Sequence, residues 1–371
     1  MKVKDVMAAL EEIAPLSYSE DFDNTGLLVG DEQSEVKGIL VTLDTLESVV
    51  DEAITKDCNV IVSFHPIIFS GLKKLTSGSY VERVVQKAIK HDISIYAIHT
   101  ALDNAWNGVN AMICEKIGLS NRSVLIPQRG TIQKLVTYVP AKEADTVREA
   151  LFEAGAGDIG NYSNCSFNTE GQGSFNPNED ANPTLGVQGK THFEDEIRIE
   201  VTFQKHRKGR VLQALFSSHS YEEVAYEVTT LDNTNQHIGM GMIGTLSDPL
   251  PEQEFLSHLK KTMQTDCIRH SELHGKPIQK VAVLGGSGSF AIDAAKAAGA
   301  DAFVTADMKY HDFFKSEGEI LLTDIGHYES EQFTKQLILN VLSKKITNFA
   351  PALPPGRLVI SQINTNPISY L

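Results

Sequence analysis

No run of about 18 consecutive apolar residues, the length a helix needs to cross a bilayer, occurs in this sequence. A membrane-spanning helix is therefore not expected. The opening MKVKDVMAALEEIAP has no long apolar segment followed by a small-residue cleavage site, so a cytoplasmic protein is expected. Cysteine is scarce as well. Cys58, Cys114, Cys165 and Cys267 are widely scattered, and no two have the spacing of a zinc knuckle or a redox pair. They read as free thiols in a reducing compartment. Positive charge is in deficit: 33 Lys and Arg face 48 Asp and Glu, a formal net charge of -15. That balance argues against broad contact with nucleic acid or anionic membrane, both of which are held by basic surface. The HExxH helix of the common metalloproteases is missing too.

What is present is an ordinary globular composition, 42% hydrophobic and 22% charged, over 371 residues. That length suggests two or three domains. Val3, Val6, Met7, Leu10 and Ile13 have helical spacing, and Pro15 stops that run. Short Val- and Ile-rich runs then alternate with helical stretches. GILVTLD (38–44), NVIVSFHP (59–66) and SIYAIHT (94–100) read as strands, with helices over 45–56, 79–91 and 108–117. Apolar runs without polar alternation mark strands covered on both faces, so the first part is α/β.

The character changes near Pro127. A strand and a helix are followed by a Gly-, Asn- and Ser-rich stretch from Gly155 to Lys190, which reads as hairpin loops rather than core. EIRIEVTF (196–203), a helix and a final strand complete the order βα–β…β–αβ, which a split βαβ, ferredoxin-like domain satisfies. The α/β pattern then resumes with strands at GMGMIGTL, 278–284, 302–307 and 319–327. Helices are expected over 251–262, 289–298, MKYHDFFKSEG and about 328–342, before a last strand at GRLVISQ. The expected organisation is an N-terminal α/β lobe (1–126), an inserted domain (127–236) and a C-terminal lobe (237–371).

Polar residues follow directly on several parallel-type strands, the edge where open α/β sheets bind ligands. His65 closes one strand, His99 and Asp103 follow another, and His327 follows a third. Glu331 stands four residues after His327, on the same face of a helix. Imidazole and carboxylate together suit Zn, Mn, Fe or Co. Taken singly, each is also what a capped or solvated strand end looks like. In TADMKYHD (305–312), His311 suits proton transfer and Lys309 an anion, whereas Asp307 reads equally as a helix cap. GGSGS (285–289) before a helix is either a phosphate-binding turn or a tight connection; it has neither GxGxxG nor GK[ST] spacing. Asp23, Asn24, Gly26 and Asp44 read as turn and cap chemistry.

The segments DNTGLLVG (23–30), VTLD (41–44), SFHPIIF (63–69), IHTALDNAWNGVN (98–110), VLGGSGS (283–289), TADMKYHD and TDIGHYESE (323–331) together resemble the dinuclear-metal-centre family that contains the GTP cyclohydrolase 1 type 2 homologues. The resemblance implies two similar α/β lobes with metals between them, interrupted by a ferredoxin-like middle domain similar to PII and CutA proteins. It also implies a toroidal homohexamer whose metal sites face an internal cavity. By resemblance, His65 and Asp103 hold one divalent ion, His327 helps hold a second, and Glu331 bridges them. His99 and His311 become the acid–base candidates, and a nucleotide or related phosphorylated compound the ligand. Two departures stand out. The family usually has two consecutive histidines where this chain has Phe64–His65, which leaves the His327 side short of a ligand. Ala306 also replaces a common glycine.

Overall fold

The computed structural model describes residues 1–349 and 356–371. They form two compact units, one of Met1–Pro127 with Gln236–Leu371, the other of Gln128–Asn235. The first unit opens with β1 (Gly26–Val29), β2 (Ile39–Thr42), β3 (Val60–Ser63) and β4 (Ser94–Ala97). Strands β2, β3 and β4 run parallel, and β1 lies antiparallel on β4. After β5 (Ser120–Pro127), the chain enters the second unit.

There, β6 (Ile132–Pro140), β7 (Phe167–Phe175), β8 (His192–Gln204) and β9 (Tyr226–Thr230) form an antiparallel sheet in the order β7-β8-β6-β9. Helices Ala144–Glu153 and Lys208–Ser218 supply Val147, Leu151, Val211 and Leu215 to a core shared with Leu135, Val139, Ile199 and Val201. The Gly- and Asn-rich stretch expected to be loop thus contains a nine-residue strand, β7. It lies at the sheet edge and is largely exposed, so it has no apolar alternation to betray it.

Back in the first unit, β10 (Gly239–Leu250), β11 (Arg269–His270), β12 (Ile278–Ser287), β13 (Ala302–Ala306) and β14 (Leu321–Asp324) join β5 in a six-stranded sheet. Its β12, β13 and β14 are parallel. β15 (Leu358–Ile360) returns to pair parallel with β2, so the first sheet has five strands. The fold is mixed α/β with three sheets among the described residues. No helix of the described residues is long and apolar enough to cross a membrane.

Every residue of β2, β3 and β4 is buried, because each face meets a different core. Val41, Val60, Val62 and Tyr96 join a large cluster that also holds Val283, Val304 and Leu321 of the other sheet. Leu40, Ile61 and Ile95 point the opposite way, onto Val49, Val50, Val84 and Val85 of helices Glu47–Thr55 and Tyr80–Lys90. Ile61 is fully buried. Ile61→Ala is expected to cost about 2–5 kcal/mol through lost contacts and the cavity left behind. A lower urea midpoint for the first unit's transition would register it; an unchanged midpoint would contradict this packing.

Two connections differ from the sequence reading. Tyr310–Ser316 is a 3₁₀ helix rather than an α-helix. The long helix expected from about Tyr328 is split into a five-residue turn, His327–Glu331, and a separate helix, Thr334–Phe349.

Candidate metal centre

Each side chain that builds the site leaves the C-terminal end of a parallel strand. Asp44 follows β2, His65 follows β3, His99 follows β4, Asp307 follows β13 and His327 follows β14. The short helix beginning at His327 then carries Glu331 one turn on. His65 Nε2 lies 3.1 Å from Glu331 Oε2, His327 Nε2 lies 3.3 Å from the same oxygen, and the two nitrogens are 3.4 Å apart. This is a two-nitrogen, one-oxygen cluster whose ligand atoms all lie within 4.8 Å of one another, and among the described residues it is the one group of this kind. Such a donor set and spacing suit one divalent ion.

Both histidines are held from behind by a carboxylate. His65 Nδ1 is 2.9 Å from Asp44 Oδ1, and His327 Nδ1 is 2.7 Å from Asp307 Oδ2. Thr365 Oγ1 donates to Asp44 Oδ2 at 2.6 Å. With Nδ1–H directed at a carboxylate, a neutral ring turns its Nε2 lone pair toward the cluster, the arrangement that orients metal-binding histidines. Asp307 adopts a left-handed backbone conformation, φ 56°, to reach His327. A non-glycine residue held there is strained, and such strain concentrates at functional sites.

His99 repeats the pattern one strand over. Its Nδ1 is 2.9 Å from Asp23 Oδ1, while Asp23 Oδ2 accepts hydrogen bonds from Thr100 N and Oγ1. The His99 ring centroid is 5.2 Å from that of His65. Phe64 is fully buried and packs its ring against both, at 4.9 Å from His65 and 5.5 Å from His99.

Asp103 stands outside the three-ligand cluster but within its field. Although the residue is partly exposed, its Oδ1 is buried and has no hydrogen-bond partner. Glu331 Oε2 is likewise buried and receives no hydrogen bond, although both histidine nitrogens lie at ion-pair distance from it. Two buried carboxylate oxygens that receive no hydrogen bond, beside two imidazoles, form a donor set that fits a divalent metal.

The glycine turn has a structural task here. Gly285 N donates to Asn110 Oδ1 at 3.0 Å, and Gly286 N donates to Ser330 Oγ at 2.9 Å. Those two amides are therefore already engaged and do not cradle a phosphate. Gly286 has φ 66°, and a methyl group there would overlap Glu331 Oε1. The turn is glycine because the Glu331 carboxylate passes directly over it.

Electrostatics follow from the crowding. Burial alone would push the histidines down, but the carboxylates of Asp44 and Glu331 hold His65 up at about 10. For His327, Asp307 and Glu331 outweigh burial and raise it to about 11. Burial opposes ionisation of Glu331, yet the two histidines bring it down to about 2. Asp103 goes the other way: burial, reinforced by the Glu331 charge, pushes its carboxyl well above the usual carboxylate range. Asp23 falls to about 2 because hydrogen bonds from His99 and Thr100 overcome its burial.

Of the residues singled out from sequence, His65, His327 and Glu331 therefore lie together, with Asp103 and His99 alongside. His311 is exposed on the 3₁₀ helix, where its ring packs on Tyr310 and Phe314. Asp44, Asp23 and Asp307, read from sequence as turn and cap residues, are the partners that fix the histidines. Their one sequence signal was position: each stands beside an apolar run or just past its end.

The whole chain has relatives. The model of the family Duf34/NIF3 (NGG1p interacting factor 3) matches residues 1–367. A Bacillus subtilis (strain 168) protein named "GTP cyclohydrolase 1 type 2 homolog" is 37% identical over 373 residues, covering 99% of this chain and 98% of that protein. A solved Bacillus cereus protein related to NIF3 is similar with a TM-score of 0.87 and 36% identity, covering 100% of this chain and 99% of the other. A solved Staphylococcus aureus protein gives a TM-score of 0.78 and 32% identity, with 100% and 99% coverage. With full-length coverage at this level of identity, the chain belongs to the Duf34/NIF3 family.

Proposed function

We propose that this chain is a divalent-metal-dependent hydrolase acting on a nucleotide or a related phosphorylated compound. The observation that carries the reading is the cluster of two histidine nitrogens and Glu331, with buried carboxylate oxygens of Glu331 and Asp103 that receive no hydrogen bond. His65, His327 and Glu331 would hold the ion, with Asp103 as a further ligand on the His65 side. A bound divalent ion supplies a water of lowered pKa and an electrophilic anchor for an oxygen. Asp44 and Asp307 keep the two rings turned inward. His99, braced by Asp23, is the nearer proton-transfer group, and His311 is the second candidate. With GTP, as the relatives' name suggests, one water would add at C8 of the purine and open the ring to a formamide, and a second water would hydrolyse that formamide to release formate.

The strand order β7-β8-β6-β9, with both helices packed on one face, supports reading 127–236 as a PII/CutA-like ferredoxin-fold insertion between lobes 1–126 and 237–371. A homohexamer and a second ion per subunit, with Glu331 bridging, belong to the same proposal. A non-catalytic metal-binding or metabolite-sensing scaffold is the rival reading. The buried Phe64 favours it, because an apolar ring stands where the family usually offers a second histidine.

Turnover separates the two. Protein loaded with Zn, Mn or Fe is expected to convert GTP with release of formate, and His99→Ala to slow that by about 10²–10⁴-fold. Retention of metal and assembly without turnover in any metal form would overturn the hydrolase reading and leave the scaffold.

A further inference from the structure

The second unit contains a cavity of about 540 Å³, lined entirely by its own residues. That size lies within the roughly 300–1,000 Å³ of small-molecule sites. Side chains alternate along β8, so Ile199, Val201 and Phe203 face the helices while Glu196 and Arg198 face the other side and floor the cavity. The loop following β7 and the segment Tyr221–Ala225 form its walls.

Glu196 is the unusual member. It is 8% exposed, and its Oε1 accepts a hydrogen bond from Tyr221 Oη at 2.8 Å. No cation pairs with it among the described residues. The guanidinium in the lining, Arg198, is already 3.0 Å from Glu200 Oε1. Glu170, Glu222 and Glu223 add further negative charge to the lining. Burial, with Glu196 next in weight, keeps the Tyr221 hydroxyl protonated well above the usual phenol range, so it remains a donor. Strand β7 is bare at Gly173, where any side chain would overlap Glu196 Oε2. Phe175 stands beside the carboxylate's donor, its ring centroid 5.8 Å from that of Tyr221.

A buried carboxylate without a counter-charge is costly, and a ligand can supply the charge. An anionic ligand would meet four carboxylates and one engaged guanidinium. A metal ion needs several converging donors, and Glu196 belongs to no such cluster among the described residues. Aromatic faces beside a carboxylate suit an organic cation. We propose that this cavity binds a small organic ammonium compound, its cation on Glu196 and its apolar body against Phe175 and Tyr221. The site uses residues of the second unit alone and none of those in the metal centre.

Phenethylamine and phenylacetate match in shape and oppose in charge, so calorimetric titration of the full chain with each tests the proposal. Phenethylamine should saturate at about one per chain, and phenylacetate should bind at least about tenfold more weakly. Glu196→Gln preserves size and the Tyr221 contact, and should weaken the amine by at least about tenfold while metal content is unchanged. Equal binding of the two probes, no amine uptake up to about 10 mM, or wild-type affinity in E196Q would overturn it. Should E196Q fail to fold, Leu185→Trp fills the cavity from its wall; wild-type amine affinity in that variant would overturn the proposal equally.

Discussion

Glu331→Gln is expected to strip the protein of its metal. Content measured by plasma emission spectrometry should fall from about one ion per chain or more to near zero, and affinity for added zinc by more than about 100-fold. The reasoning starts from geometry. One carboxylate oxygen, Oε2, contacts both histidine nitrogens, so its negative charge serves the whole cluster. The residue is 2% exposed, and no other carboxylate joins that group among the described residues. Glutamine keeps the volume, so Gly286 and the helix His327–Glu331 are undisturbed. Asp44→Asn provides the scale. It loosens His65 from behind without removing a ligand, and should cost about 10–100-fold. A Glu331→Gln protein that keeps its metal, or one harmed less than Asp44→Asn, would show that the ion is held elsewhere.

Metal uptake should be strongly pH-dependent. Their carboxylate neighbours raise His65 to about 10 and His327 to about 11, so the metal-free protein favours their charged forms at neutral pH. An ion needs their neutral lone pairs, so its binding expels up to about two protons and its affinity rises from pH 7 toward 10. Calorimetry in buffers of different ionisation enthalpy counts those protons directly. Stability follows the opposite course without metal. The raised histidines contribute stability that is complete below their ordinary value of 6.5 and is lost as pH climbs through about 10 and 11. The depressed Glu331 contributes above its ordinary 4.5 and loses that as pH falls toward about 2. Chelated protein should therefore melt progressively lower above pH 7, while metal-replete protein gains relative to it. Parallel melting curves across that range, with no proton release, would contradict this.

The sequence made some of this legible and hid the rest for identifiable reasons. Buried parallel strands announce themselves as unbroken apolar runs, so β2, β3, β4 and β13 could be placed, with His65 and His327 just beyond strand ends. The i,i+4 relation of His327 and Glu331 needs only local geometry. The partnerships Asp44–His65 and Asp307–His327 do not: 21 and 20 residues separate their members, and each depends on where neighbouring strands end. The left-handed turn at Asp307 has no compositional signal, because glycine is the usual mark of such a conformation. β1 was hidden by the turn-rich DNTG that precedes it, and β7 by its lack of apolar alternation.

His65 and His327 are separated by 262 residues, yet their Nε2 atoms meet. During synthesis no two members of the cluster coexist until the ribosome has made nearly the whole chain. Until then the nascent protein offers His65 and Asp103 but neither His327 nor Glu331, so the three-ligand cluster cannot form early. Metal choice falls to the finished pocket, through its fixed spacing and charge, rather than to whichever ion the growing chain encounters first. Loading of the complete cluster then waits for the last-made part of the chain.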